Sequence, residues 1–233
     1  MNENDYFVLY TPDKMNRTIA LMEKDFSQDE LFSIFKSDDD IAKQVCLIKL
    51  KKIYSHDEAQ ALASILTGQH GPIREICSAK INYFLKNEYF RQFFSGEKIR
   101  TICLNALDDI IPTVTRNILE VIKFLPDNNT VYNCLIDRIC KLHAGFEYIK
   151  DLSNHESIKK TFQLYWYLEA LSELVNNDSG NDKLESVIQI GYQHDNYTIR
   201  EKTAKILSKV NGFEYYKNVL KSDKNPYVFS YLQ

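Results

Sequence analysis

The tripeptide Ile-Arg-Glu occurs twice, in GPIREICSAKI at 71–81 and in DNYTIREKTAKIL at 195–207, each time after a turn residue and each time opening an apolar run. Counting forward from Arg200 in steps that hold one face of a helix, positions +3, +4, +7 and +10 are Thr203, Ala204, Leu207 and Val210. From Arg74 they are Cys77, Ser78, Ile81 and Phe84. The same frame laid from Lys43 reads Cys46, Leu47, Leu50 and Ile53; from Thr115 it reads Ile118, Leu119, Ile122 and Leu125; from Thr161 it reads Leu164, Tyr165, Leu168 and Leu171. A pattern written five times constrains the fold more than any other feature, because one such unit cannot bury its apolar face alone and must stack on its neighbours.

The five frames start 31, 41, 46 and 39 residues apart, which leaves room for one partner helix and two turns in each interval. Partner helices are expected at 56–66, 97–107, 130–142 and 182–192, where apolar residues again recur at helical spacing. Turn signals fall between them: SDDD at 37–40, GQHGP at 68–72, DDIIP at 108–112, NNDSGND at 176–182 and HDN at 194–196. The acidic residues in these turns read as N-caps, which satisfy orphan helix N–H groups and complement the helix dipole. Each unit is thus a helical hairpin, and the expected class is all-α.

The two strongest copies resemble the HEAT-repeat family. In that family the second helix of each hairpin opens with an apolar residue and Arg, follows an Asp in the turn, and continues with small residues and a Leu. Asp195, Ile199, Arg200, Ala204 and Leu207 match this; Ile73, Arg74, Ser78 and Ile81 match it with Gln69 where the Asp would stand. The frames from 43, 115 and 161 keep the periodicity without the Arg. The resemblance implies a right-handed α-α superhelix of about five hairpins, a single solenoid over 1–233. Residues 1–35 would form an N-terminal cap with an irregular start, a short helix around 17–24 and the stretch DELFSIF at 29–35, residues 36–212 the repeats, and 213–233 a partial repeat or cap open to self-association. It also implies that Arg200 pairs with Asp195 along the stack and that second helices line the concave face.

On that face, positions +1, +5 and +8 of each frame would form the floor. They read Gln44, Ile48 and Lys51; Glu75, Ala79 and Asn82; Arg116, Glu120 and Lys123; Phe162, Trp166 and Glu169; Glu201, Lys205 and Ser208. Phe162 and Trp166 form an apolar island among polar residues. Large rings with few rotamers inside a polar rim are what a protein-binding hot spot requires. The expected protein contacts are therefore Phe162 and Trp166 as anchors, with Glu169, Arg116, Glu120, Lys123, Glu201 and Lys205 as a rim that sets register. The competing reading is a helix covered on both faces, with FEYIKDLSN at 146–154 as the cover. A second aromatic-dense stretch, NYFLKNEYFRQFF at 82–94, reads as a wedge between repeats.

Bulk properties narrow the function further. Lys and Arg number sixteen against eighteen Asp and Glu through Leu125, and thirteen against fourteen after it, so neither half carries the basic field that a nucleic-acid surface uses. The first residues, MNENDYFVLYTPDK, hold acids and a five-residue apolar run, unlike a signal peptide or a membrane span. Five cysteines without a CxxC pair read as buried small residues of a cytoplasmic protein.

Phosphate-cradling, zincin and nucleophile-elbow motifs are missing, and the five histidines are scattered, so neither metal nor cofactor is expected. Cys140 and His143 share a helix face without a third group to orient them. The leading expectation is a non-catalytic scaffold or inhibitor that binds another protein. The alternative is an enzyme on the same scaffold: an alkylpurine DNA glycosylase using Trp166 and Glu169 beside the lesion, or, more remotely, a bilin lyase.

Overall fold

The computed structural model describes residues 11–144, 155–177 and 182–233, and among them every regular element is helical. The chain divides into two compact units, Met1–Val121 and Ile122–Gln233. No described helix is long and apolar enough to cross a membrane.

The first unit contains α1 (Pro12–Glu23), α2 (Gln28–Phe35), α3 (Asp40–Lys49), α4 (His56–Ser64), α5 (Gly71–Lys86), α6 (Glu88–Arg91), α7 (Glu97–Asn105) and α8 (Pro112–Leu119). Helix starts follow local chemistry. Ser27 and Glu30 form a reciprocal capping box, Asp39 accepts from Ala42 N at 3.1 Å, and Pro72 and Pro112 occupy first turns, where a missing N–H costs nothing. Helices then alternate between two layers. α1, α3, α5 and α8 pack in succession on one side, and α2, α4 and α7 on the other. The apolar stripe of α5, Ile73, Cys77, Ile81 and Phe84, is sealed between the layers, and Cys77 Sγ donates to Leu62 O of α4 at 3.1 Å. The aromatic stretch after it acts as a wedge: Phe84, Phe90 and Phe94 are buried, the first two edge to face at 5.1 Å.

The second unit contains α9 (Asn128–Ala144), α10 (His155–Ser172), α11 (Asp182–Gly191), α12 (Tyr197–Leu207), α13 (Glu214–Lys221) and α14 (Pro226–Phe229). Its layering has the same logic: α10, α12 and α14 pack in succession, while α9 pairs with both α10 and α11. Helices α11 and α12 meet where Gly191 lies against Thr203; a Cβ at Gly191 would stand 2.0 Å from Thr203 Oγ1. The segment 146–154, expected as a cover for α10, lies outside the described residues.

The Ile-Arg-Glu copies share one geometry, which corrects the expected partner. Arg200 Nε and Nη2 grip the Asp223 carboxylate at 2.6 and 3.3 Å, and Nη1 donates to the carbonyl oxygens of His194 and Asp195. Arg74 grips Asp109 at 2.7 and 3.1 Å in the same way, and its Nη1 donates to the Gln69 carbonyl. The turn before the helix therefore contributes backbone, so Gln69 serves as well as Asp195 does. The carboxylate comes from the following turn. Asp109 and Asp223 each stand three residues before a proline, Pro112 and Pro226, and each also accepts the backbone N–H two residues on. At the Asp195 turn the N-cap is Asn196, which accepts from Thr198 N at 2.9 Å.

Candidate functional site

In the second unit, α10 and α12 lie side by side and bring together most of the expected contact residues. The buried stripe of α10 is Leu164, Tyr167, Leu168 and Leu171; Tyr165, expected in that stripe, stands at its edge. The reason is electrostatic as well as geometric. The Tyr165 ring faces Lys202 Nζ at 4.9 Å and meets Trp166 edge to face at 5.0 Å.

Phe162 is 62 % exposed, and Ile158, one turn earlier, is 48 % exposed. Trp166, one turn later, is half-buried. The expected pair is thus an i, i+4, i+8 ridge whose N-terminal part is open and whose tryptophan is braced by the helix itself. Ile158 was missed by reading only positions +1, +5 and +8, although the spacing 158, 162, 166 is visible in the sequence.

Beyond the ridge the charged residues are paired with one another. Lys205 Nζ donates to Glu169 at 2.7 Å and to Glu173 at 3.2 Å. Lys202, almost completely buried, lies 3.1 Å from Glu169 Oε2, outside hydrogen-bond alignment with it, and 3.1 Å from Glu201. Glu173 also meets Lys123 at 3.5 Å and Lys209 at 3.8 Å. Burial works against charge on Glu173, and the Lys205 hydrogen bond with the surrounding lysines outweighs it, holding its pKa below the ordinary value. For Lys205 the burial penalty is likewise outweighed by Glu169 and Glu173, and its pKa is raised. This lattice of mutually paired charge closes the C-terminal end of the ridge. Glu173, Lys202 and Lys209 were not expected in it, because they fall between the positions assigned to the face.

Arg116 and Glu120 belong to the first unit. Arg116 is exposed on α8; Glu120 accepts from Lys86 at 2.6 Å and from Asn82 at 3.1 Å, and these bonds hold its pKa low. Asn82 also donates to Asn117 O at 2.7 Å, tying α5 to α8.

The residues considered for chemistry have other occupations. Glu169 is engaged by two lysines. Cys140 is half-buried, and burial together with the charge of Asp137 raises its pKa, away from thiolate character. Burial pushes Cys103 up to about 12 and Cys46 to about 11. Cys46, Cys77 and Cys103 are core residues as expected, whereas Cys134 and Cys140 are only partly covered. Among the described residues no group of three His, Cys, Asp or Glu side chains is arranged to hold a metal ion. No protein-family model and no curated protein matches the sequence.

Proposed function

We propose that the chain is a HEAT-like α-solenoid that acts by binding another protein, with the ridge Ile158–Phe162–Trp166 of α10 as its contact. The observation that carries this reading is the exposure of Phe162 and Ile158 on a helix whose opposite side is fully buried. Covering a large apolar side chain contributes about 1.5–3 kcal/mol. Two such residues beside a braced tryptophan supply the centre of a small hot spot.

The two-layered alternation of helices within each unit and the repeated Arg clamp support the solenoid part of the proposal. The paired lattice supports recognition without turnover. Its charges already have partners within the chain, so a protein that docks beside them meets a polar rim and leaves no ion stranded. Scaffold and inhibitor both use such a surface. The glycosylase alternative gains nothing, because Glu169 is committed to Lys202 and Lys205.

The test is affinity capture from the native source with wild type and an Ile158→Ser/Phe162→Ser variant that melts at the same temperature. Trp166 is left in place because it is part of the packing. Loss of the captured protein from the variant supports the reading, and an unchanged captured set removes it.

A further inference from the structure

On α3 the cation position of the clamp is occupied differently. Lys43 stands where Arg74 and Arg200 stand in their helices, and it reaches toward the following turn as they do. Its partner there is Gln69 Oε1 at 3.0 Å, and Gln69 stands three residues before Pro72 as Asp109 and Asp223 stand before Pro112 and Pro226. Two copies therefore neutralise a guanidinium with a carboxylate, while the third sets an ammonium against a neutral amide. Lys43 is only 4 % exposed. Among the described residues Gln69 is the one hydrogen-bond partner of its ammonium, and no carboxylate lies within ion-pair distance of it. A buried cation without a counter-charge is costly, and an ammonium carries three donors.

Lys43 also lines a groove of about 670 Å³ between α2, α3 and α4, a size that suits a small-molecule ligand. Gln60, Ser64 and Gln69 line it with neutral polar groups, and the exposed carboxylates of Asp38 and Asp57 stand in the same lining. The groove thus offers one sheltered positive charge, that of Lys43, and at its solvated margin the two carboxylates and the exposed Lys36 ammonium, a margin that is acidic by one charge.

We propose that this groove binds a small zwitterion, its anionic group seated on the Lys43 ammonium and its cationic group turned toward Asp38 and Asp57. The anion would supply the counter-charge that Asp109 and Asp223 supply in the other copies. Charge-assisted hydrogen bonds to a sheltered ammonium bring affinity, and the acidic lining rejects a simple anion.

The experiment is an amide NMR titration of the whole chain with β-alanine, with acetate as the anion alone and ethylammonium as the cation alone. β-Alanine is expected to give saturable shifts confined to residues 36–43 and 57–69, acetate weaker ones, and ethylammonium none. Gln69→Glu gives Lys43 an internal carboxylate, so this variant is expected to lose the β-alanine response and to melt no lower than wild type. Lys43→Met, if folded, is expected to weaken β-alanine about tenfold or more. No saturable response in wild type, an equal response to acetate and β-alanine, an undiminished response in either variant, or a lower melting temperature for Gln69→Glu would each overturn the proposal.

Discussion

Replacing Arg200 by Met tests whether the clamp holds the second unit together. The substitution keeps an unbranched apolar stem and removes every donor. It strands the Asp223 carboxylate, whose side chain is 9 % exposed, with the Asn225 N–H at 2.8 Å as its remaining described partner, and it deprives the His194 and Asp195 carbonyls of a donor. Breaking a buried pair costs about 3–5 kcal/mol, and the 20 % exposure of Arg200 places this case near the lower end, about 3 kcal/mol. The first unit supplies a replicate, since Arg74 and Asp109 are 16 % and 7 % exposed, and also a control. Lys86 and Glu120, 50 % and 57 % exposed, form a surface pair for which Lys86→Met should cost about 0–1 kcal/mol. Urea unfolding read by the fluorescence of Trp166, the single tryptophan, follows the second unit, and helical circular dichroism follows the whole chain. The pH dependence has a definite sign. Arg200 is the main cause that holds the Asp223 pKa below its ordinary value, so the stabilisation is complete above about pH 4 and is lost as pH falls through the lowered folded value. The gap between wild type and Arg200→Met should therefore narrow in acid. An Arg200→Met cost no larger than that of Lys86→Met, or a gap that widens in acid, would refute the clamp.

Other expectations follow from single contacts. Gly191→Ala drives a methyl group to 2.0 Å from Thr203 Oγ1, so it should cost about 1–3 kcal/mol in urea titration, and Thr203→Ala in the same chain should recover part of the loss. Phe162→Ser, at a site 62 % exposed, should change stability by no more than about 0.5 kcal/mol, which separates a surface anchor from a core residue by the same titration. With a chromogenic disulfide at pH 8, Cys46, Cys77 and Cys103 should stay silent in the folded chain, Cys134 and Cys140 should supply whatever slow reaction occurs, and all five should react in urea.

The helices were legible because their signal is local. A stripe such as Ile73, Cys77, Ile81 and Phe84 needs only the 3.6-residue period to be seen. The clamp was half legible. The recurrence of Ile-Arg-Glu marked it as structural, yet its carboxylate lies 35 residues on from Arg74 and 23 from Arg200, and periodicity on one helix does not say which turn the guanidinium reaches. Asp195 drew attention through its nearness in sequence, while its carbonyl makes the contact. The site was partly legible for a related reason. Periodicity left Phe162 open between surface and core, and the structure exposes it; Tyr165 and Tyr167 sit two residues apart, and the one that stays at the edge faces Lys202 of the neighbouring helix, a contact no single-helix pattern shows. The rim residues Glu169, Glu201 and Lys205 do meet, through a buried lysine that a list of outward positions leaves out.

Whether a protein docks on the α10 ridge can be read by site-specific photo-cross-linking in the native cell, with a benzophenone side chain placed at position 162. The control carries it at Ser186, exposed on α11 of the same unit. A discrete product of higher mass is expected from position 162 and not from position 186; no product at 162, or the same products from both positions, would rule the ridge out as a docking surface.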